Sequence, residues 1–295
     1  MMRCALVVNP HSGRRRGDEV AAAAHTRLTA AGAEVVVVRG ADTSGARAHL
    51  ETVIAGGLDA VVVVGGDGAL HAVLDLVVRH DLLLGLLPAG TGNDTARSTG
   101  IPVGDATAAV DIVLAGHERR LDVARTGEGV HVMTVVASGF DSKVNERANA
   151  MRWPRGNMRY NLAIVAELRA FSPLPFSITL DDRVIEREAM LVAVGNGPSF
   201  GGGLRICEGA AMDDGLLDVC IINPVSKAKL LRVFPRLYRG THVSLPEFER
   251  HRVRSVTLSS PGIVAYGDGE RLGALPVSAE VVPGAVRLLS PVPSP

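Results

Sequence analysis

The sequence has 295 residues, enough for about two domains at roughly 150 residues per domain. Hydrophobic residues make up 47% and charged residues 21%, a composition that excludes a disordered chain. The 31 basic residues balance the 31 acidic ones, and aromatic residues amount to only 3%, which argues against a protein dedicated to binding DNA or RNA.

The first third of the chain alternates between two kinds of segment. Short β-branched runs predict buried strands, and helical segments that end near glycines separate them. This alternation predicts βαβ units and a parallel sheet. The predicted strands cover residues 4–8, 34–38, 60–64 and 82–87, and the predicted helices cover residues 18–31, 46–55 and 69–79.

The pattern changes after about residue 120, where short strands follow one another with few helices between them. This predicts a second, mostly antiparallel domain. We assign residues 1–125 to an α/β domain and residues 126–295 to the antiparallel one, and the last strand and the tail could return to the first. The predicted strands cover residues 130–136, 176–180, 190–194, 217–222, 255–258 and 285–289, with helices near 159–170 and 226–239.

The cysteines and the apolar segments indicate where the protein resides. Cys4, Cys207 and Cys220 form no CxxC pair, so they predict neither a disulfide framework nor a zinc site, and a reducing cytosol fits. No stretch reaches the ~20 apolar residues of a transmembrane helix. The first ten residues are too quickly broken for a signal peptide. We therefore expect a cytoplasmic protein that touches a membrane only at its surface.

The strongest local feature is Gly65-Gly66-Asp67-Gly68, placed between a valine-rich strand and a helix. The glycines let the backbone approach a ligand, and the helix that follows offers unpaired N–H groups and the positive end of its dipole. This combination predicts a phosphate site, with a plain strand-to-helix turn as the alternative. Asp67 would repel phosphate unless a cation mediates, which indicates Mg²⁺.

Two further loops follow strands of the same predicted sheet. Residues 88–94 come after the fourth strand, where open α/β sheets bind ligands, and supply a hydroxyl, an amide and a carboxylate. Residues 9–16 come after the first strand, and Asn9 and Ser12 can bind phosphate or cap a helix while the arginines neutralise charge. Three such loops favour a nucleotide cleft. No Walker A loop, GxGxxG fingerprint or protein-kinase signature occurs.

An ordered set of motifs runs along nearly the whole chain. The set resembles the diacylglycerol/sphingosine lipid kinase catalytic family, specifically its soluble bacterial diacylglycerol kinase branch. GGDG alone is shared with NAD kinases and phosphofructokinases, whereas the ordered set ending in DGE is much more specific. The motifs lie at residues 9–13 (NPxSG), 65–68 (GGDG), 88–97 (PxGTxNDxAR), 139–141, 195–197, 201–203, 213–218 and 267–270 (the late DGE).

The resemblance implies a Rossmann-like parallel-sheet nucleotide domain followed by a mostly antiparallel β-sandwich domain, with the active site between them. It implies that ATP phosphorylates a neutral lipid, with diacylglycerol converted to phosphatidic acid as the expected reaction. It implies Asp268 as the base that receives the hydroxyl proton, and a structural Mg²⁺ held by Asp214 and the carbonyls of Ala211 and Leu216. The residues implied to bind ATP are Asn9, Pro10, His11, Ser12, Gly13, Thr43, Gly65, Gly66, Asp67, Gly68, Ala69, Leu70, His71, Thr91, Asn93 and Asp94.

Two positions depart from the family pattern and leave alternatives open. Ala69 stands where the family usually has Thr, and Ala72 where it usually has Glu. One alternative is therefore a catalytically weakened nucleotide- or lipid-binding protein, against which Asp67, Asp94 and Asp268 argue. Another is a kinase for a sphingoid base or other alcohol. An NAD kinase is disfavoured because the late DGE motif has no role in it.

The acidic motifs of the second domain also have plain structural interpretations. Asp268-Gly269 is a common hairpin turn, and we favour catalysis there only because the upstream loops are present. Adjacent Asp213 and Asp214 before Gly215 suit a hard cation and a solvated turn equally well.

Two basic segments predict peripheral contact with an anionic membrane at its inner face. Residues 226–239 alternate apolar and basic residues at helical spacing with Ser226 as the expected N-cap, and residues 147–159 carry Trp153 among arginines. Each basic residue near such a surface contributes about 1 kcal/mol. A core-facing helix with a solvated outer face is the plainer interpretation. We expect no nucleic-acid partner, and a homodimer remains open.

Overall fold

The computed structural model describes residues 2–8, 16–151, 153, 162–163, 166–167 and 172–292. Its helices are α1 (Arg16–Ala30), α2 (Thr43–Ala55), α3 (Asp67–Arg79), α4 (Asp94–Ser98), α5 (Ala106–Ala115), α6 (Phe140–Ala150), α7 (Lys227–Tyr238) and a 3-10 turn at Thr241–Ser244. Its strands are β1 (Arg3–Val8), β2 (Glu34–Val38), β3 (Ala60–Gly65), β4 (Leu83–Pro88), β5 (Glu118–Thr126), β6 (His131–Val132), β7 (Val135–Gly139), β8 (Leu174–Leu180), β9 (Arg183–Ala189), β10 (Leu191–Gly195), β11 (Leu217–Ile222), β12 (Phe248–Val253), β13 (Ser255–Ser259), β14 (Val264–Gly267), β15 (Glu270–Ala274) and β16 (Val277–Leu289).

The first four strands form the parallel sheet that the sequence predicts, in the order β2-β1-β3-β4. Residues 60–65 of β3 are buried throughout because helices cover the sheet, which explains their unbroken apolar pattern. The core of this half combines β1, β3 and β4 with the apolar faces of α1, α3 and α5. Parallel pairing brings the loops after β3 and β4 to the same edge of the sheet.

The second half is a β-sandwich, as the resemblance implies. A six-stranded sheet in the order β12-β11-β10-β7-β14-β15 is antiparallel in all its pairings. It packs on β13, β8 and β16 through a core that includes Phe176, Ile178 and Val192. The last strand joins the halves, because β16 pairs antiparallel with β13 and parallel with β4, where Arg287 lies beside Leu83.

One predicted strand is broken at a place that matters for the site. Residues 130–136 were expected to form a continuous strand, but β6 ends at Val132 and β7 begins at Val135. The N–H groups of Met133 and Thr134 between them donate to the carboxylate of Asp268 instead of to a neighbouring strand. The predicted helix at 159–170 lies largely outside the described residues.

Candidate active site

The glycine loops after β3 and β4 touch each other through their backbones. The register pairs Gly65 with Pro88, so the loops leave the sheet side by side. A Cβ on Gly90 would lie only 2.5 Å from the Cα of Gly66. Glycine is therefore required here for the packing of two backbones, independently of any ligand. A crevice between the loops is lined in part by Gly66, Asp67 and Thr95.

Helix α3 begins in this crevice without a capping side chain. Gly66 is its N-cap residue, and the N–H groups of Ala69 and Leu70 already bond to the Gly66 carbonyl. The N–H groups of Asp67 and Gly68 are the ones left for an anion. The side chains of Ala69 and Leu70 are buried in the core, and Leu70 also lines the crevice.

The carboxylate of Asp67 ties the two loops together. Its two oxygens accept the N–H groups of Asp94 and Thr95, each at 3.0 Å, and so cap the start of α4. Burial raises the pKa of Asp67, the neighbouring charges of Asp94 and Asp268 raise it further, and the two backbone hydrogen bonds oppose the shift. Asp67 thus fixes the geometry of the crevice and places negative charge in it.

The carboxylate of Asp94 joins the two domains. Asp94 is 3% exposed and accepts the hydroxyl of Ser199 at 3.1 Å. It also accepts the N–H groups of Gly202 and Gly203 of the second domain, each at 2.7 Å. The sequence analysis expects Asp94 to contact the nucleotide. The three hydrogen bonds that its carboxylate accepts in the structure all come from the protein itself.

The remaining predicted nucleotide residues occupy different positions. Asn93 adopts the left-handed conformation, with φ of 55°, and its amide both accepts from the N–H and donates to the carbonyl of Gly90. Thr91 is exposed at the tip of the loop. Thr43 is exposed in the first turn of α2, beyond a strand that is separated from β3 by β1. Residues Asn9–Gly13 lie outside the described residues.

Asp268 is both a turn residue and a buried anion. Asp268 and Gly269 have φ values of 51° and 87°, as the tight turn of the β14–β15 hairpin requires. The side chain is nevertheless only 2% exposed. Its oxygens accept the N–H groups of Met133 at 2.7 Å and Thr134 at 2.8 Å, and the Thr134 hydroxyl at 2.6 Å.

Asn196 holds in place the peptide groups that bind Asp268. Its Nδ2 donates to the carbonyls of Met133 and Asp122, at 2.8 and 2.9 Å. Its backbone N–H donates to the carbonyl of Thr134 at 2.8 Å. Sequence reasoning noted the motif at 195–197 but gave Asn196 no role, and it placed Met133 and Thr134 inside a strand. A polar Thr within that apolar run was the available signal.

His71 lies on α3, the helix that begins at the crevice, and faces Asp268. It is the fifth residue of α3, and its Nδ1 lies 3.6 Å from Oδ2 of Asp268, the distance of an ion pair rather than of a direct hydrogen bond. Burial lowers the pKa of His71, but Asp268, Glu270 and Asp75 together raise it more, so the net shift is upward. The structure therefore brings together residues 65–71, the loop after β4 and Asp268.

The predicted metal ligands share one loop, whose charges are already balanced. Asp214 accepts the N–H of Leu216 at 3.0 Å with one carboxylate oxygen and pairs with Arg252 through the other. Asp213 pairs with Arg119 at 2.7 Å. A divalent cation needs free oxygen ligands, so this donor set does not fit one as it is arranged. Among the described residues, no group of three or more His, Cys, Asp or Glu side chains is placed to hold a metal.

The chain is similar to known proteins along almost its whole length. Residues 3–126 match the family described as "Diacylglycerol kinase catalytic domain", and residues 134–290 match "YegS C-terminal NAD kinase beta sandwich-like domain". The chain is 43% identical to the diacylglycerol kinase of Mycobacterium tuberculosis, over 97% of this chain and 94% of that one. It is 30% identical to a probable lipid kinase, YegS-like, of Pseudomonas aeruginosa, over 96% and 93%.

The fold is also found among solved structures. The crystal structure of a diacylglycerol kinase from Bacillus anthracis superposes with a TM-score of 0.73 at 21% identity, covering 98% of this chain and 97% of that chain. This likeness confirms the two-part architecture. In the described part of the chain, no helix is both long and apolar enough to cross a membrane.

Proposed function

This chain belongs to the diacylglycerol kinase family of lipid kinases, and we propose that it transfers the γ-phosphate of ATP to the hydroxyl of diacylglycerol, giving phosphatidic acid. Its family makes it a phosphotransferase with an alcohol as acceptor. The observation that carries the proposal is the contact between α3 and Asp268: one helix begins at the phosphate-type crevice and reaches the buried carboxylate one turn later.

The triphosphate is proposed to lie across the touching glycine loops. Backbone N–H groups at the start of α3 and the exposed Thr91 are the donors that the described residues offer. Residues 9–13 and Thr43 complete this nucleotide contact in the proposal. Mg²⁺ enters as part of the MgATP substrate, where it neutralises charge on the phosphates next to Asp67. No step of this proposal uses a metal at the predicted ligands Ala211, Asp214 and Leu216.

Phosphoryl transfer depends on positioning and charge rather than on a covalent enzyme intermediate. The lipid hydroxyl oxygen forms a bond to the γ-phosphorus, and the bond from that phosphorus to the bridging oxygen of ADP breaks with its electron pair. The hydroxyl proton leaves late, toward the acidic end of the site around Asp268.

The two departures from the family pattern lie where they disturb the crevice little. Ala69 is 7% exposed and packs in the core beneath the crevice. Ala72 is partly buried against the same core, and its carbonyl accepts a hydrogen bond from Arg47 at 3.2 Å. Arg47 is in turn held by Asp75, which lies one turn after Ala72 on α3. An active kinase is favoured over a weakened binding protein because Asp67, Asp94 and Asp268 are all present.

The membrane surface is proposed to be the place where the lipid is reached. Helix α7 is capped by the hydroxyl of Ser226 and carries the exposed residues Arg232 and Tyr238, followed by the exposed C-cap residue Arg239. Trp153 is 76% exposed in the other basic segment. Cationic and aromatic groups of this kind suit the headgroup region of an anionic membrane.

Transfer from radiolabelled ATP tests the function directly. We expect label in dioctanoylglycerol, and little or none in sphingosine or NAD, when each is offered in the same micelles or buffer. Transfer to sphingosine in preference would support the sphingoid alternative. ATP binding by calorimetry without transfer to any acceptor would support the binding-protein alternative. A second activity, NAD phosphorylation, would show as label in NADP.

A further inference from the structure

We propose that Asn196 is a positioning residue of the kinase reaction, because it fixes the peptide group that aims the carboxylate of Asp268. The inference rests on the kinase function proposed above, with Asp268 as the base that accepts the hydroxyl proton. It gives a role to the motifs at residues 195–197 and 213–218, which the proposed function leaves unused.

The hydrogen bonds to Asp268 distinguish its two carboxylate oxygens. Oδ1 accepts the N–H of Thr134 at 2.8 Å and the Thr134 hydroxyl at 2.6 Å. Oδ2 accepts the N–H of Met133 at 2.7 Å, its one hydrogen bond in the part of the chain that the structure describes. Since each oxygen has about two acceptor positions, Oδ1 is saturated and Oδ2 keeps one position open. Oδ2 also lies 3.6 Å from Nδ1 of His71, on the side of α3. The open position of Oδ2 is therefore the one that receives the proton.

Asn196 and Asp268 hold opposite ends of the same peptide group. The carbonyl of Met133 and the N–H of Thr134 belong to one planar unit, in which they point in opposite directions. Nδ2 of Asn196 donates to that carbonyl at 2.8 Å, and Oδ1 of Asp268 accepts that N–H. The next carbonyl, of Thr134, accepts the backbone N–H groups of Asn196 and Gly197, each at 2.8 Å. The segment between β6 and β7 thus takes its orientation from Asn196.

The Asn196 side chain is itself fixed from behind. It is fully buried, and its Nδ2 also donates to the carbonyl of Asp122 at 2.9 Å. The Asp122 carboxylate in turn accepts the N–H groups of Gly215 at 2.7 Å and Gly284 at 2.8 Å. Gly215 belongs to the motif at 213–218, so a continuous set of hydrogen bonds runs from that loop through Asp122 and Asn196 to the peptide that holds the base.

Stability alone does not explain this amide. Its Oδ1 is buried and has no hydrogen-bond partner within the described ranges of the chain. An unpaired buried acceptor lowers the stability of a fold, whereas both hydrogens of Nδ2 are used to orient backbone carbonyls. An observed cost of this kind, next to a carboxylate implied in catalysis, indicates a functional role.

The orientation of Asp268 matters for the proton transfer. The hydroxyl oxygen bonds to the γ-phosphorus, the bond to the bridging oxygen of ADP breaks with its electron pair, and the hydroxyl proton passes to Oδ2 and later to solvent. N–H donors favour the ionised carboxylate that this step needs, and a fixed direction keeps Oδ2 in reach of the hydroxyl. The titratable groups around the carboxylate are Asp67 and His71 of α3 and Glu270, which interacts with His71.

The test is a pH profile of phosphoryl transfer from ATP to dioctanoylglycerol by Asn196→Ala. We expect kcat to fall by roughly 10–10², the KM for ATP to stay unchanged, and the acid limb of the profile to move to higher pH because the Thr134 N–H no longer holds the anion. The matched control is Val256→Ala, a truncation in the core of the sandwich. It should lower the melting temperature while kcat and the acid limb stay parental. An Asn196→Ala variant that behaves like this control would overturn the positioning role.

A double-mutant cycle separates an effect through Asp268 from a general one. If Asn196 acts through this carboxylate, Asn196→Ala should have almost no effect on the residual kcat of Asp268→Asn, whereas additive effects would overturn the proposal. Should Asn196→Ala fail to fold by circular dichroism, Thr134→Val decides instead. This variant frees a position on Oδ1 and should lower kcat and move the acid limb in the same direction, and parental values for it would overturn the assignment of Oδ2. A parental kcat for Asp268→Asn would overturn the base and leave the kinase function standing, and a parent that labels no lipid would overturn the kinase function itself.

Discussion

Replacing Asp94 with Asn should loosen the joint between the two domains. The carboxylate accepts the Ser199 hydroxyl and the N–H groups of Gly202 and Gly203. Asn has the same shape but a single acceptor oxygen, and its NH₂ group would face at least one backbone N–H. The side chain is almost fully enclosed, with Asp94 only 3% exposed, so water cannot readily take over the lost role.

The size of the effect follows from the three hydrogen bonds. A hydrogen bond to a charged group contributes about 1.5–3 kcal/mol, and charge-assisted bonds are roughly twice as strong as neutral ones. One bond is lost outright and the others are weakened, but Gly202 and Gly203 are partly exposed and recover some hydration. We expect a loss of about 2–4 kcal/mol in the free energy of unfolding, which corresponds to a fall of roughly 3–6 °C in melting temperature for a chain of this length.

Thermal denaturation and ATP titration together decide the role of Asp94. The matched control is Asp111→Asn, the same change at an exposed ion pair with Arg27, where we expect about 0–1 kcal/mol. Asp94→Asn should lower the melting temperature well below that control while the affinity of the folded protein for ATP changes little. A parental melting temperature combined with weakened ATP binding would refute the structural role and support the nucleotide contact that the sequence suggests.

Three further changes test other parts of the structure. Gly90→Ala should weaken ATP binding because its Cβ would meet the Gly66 backbone at 2.5 Å, whereas Gly45→Ala, with its nearest atom at 3.4 Å, should bind ATP normally in calorimetry. The Arg187 guanidinium lowers the pKa of Glu249 from 4.5 to about 2. The ion pair therefore adds to the free energy of unfolding above pH 4.5, and this contribution is lost as the pH falls toward 2. Glu249→Gln should flatten this acid dependence of stability in denaturant titrations, and an unchanged curve would contradict the assignment. Neither Mg²⁺ nor a chelator should change the melting temperature of the parent protein, because Arg252 already neutralises Asp214. A rise in melting temperature with Mg²⁺ would instead support the predicted metal ligands Ala211, Asp214 and Leu216.

The first domain was predictable because its signals are local. The strand at residues 34–38 has the predicted bounds because a continuous valine run favours a strand, although at the edge of the sheet only Val38 of this run is fully buried. Helix α2 begins at Thr43, three residues before the predicted start, because the Asp42 carboxylate accepts the N–H of Gly45 and caps it. The glycines in the loops after β3 and β4 predicted a close approach of the backbone to a ligand. The structure shows in addition that the two loops approach each other.

The contacts of the site were not predictable from the sequence because they join distant parts of the chain. The hydrogen bonds of Asp94 cross more than a hundred residues to Gly202, and those of Asp268 reach back to Met133. Pattern reasoning finds a residue with the right chemistry but not its partner. Asn93 shows the limit clearly, because the amide that suggested a nucleotide contact hydrogen-bonds Gly90 within its own turn.

Asp268 shows why a turn residue and a functional residue need not be alternatives. The left-handed backbone at Asp268 and Gly269 aims the carboxylate inward, where the interrupted strand at Met133 and Thr134 supplies its donors. On sequence alone, Asp268→Asn separates the two interpretations, since Asn-Gly turns as readily as Asp-Gly. In the folded protein it does not, because an Asn NH₂ group would face a backbone N–H 2.7–2.8 Å away and leave that donor unpaired, at a cost of about 1–3 kcal/mol. Loss of activity in that variant would therefore combine misplacement of the turn with loss of the anion beside His71. The melting temperature of Asp268→Asn, measured beside its turnover, separates these effects, because an unpaired donor lowers stability whereas loss of a catalytic carboxylate lowers the rate without a matching fall in stability.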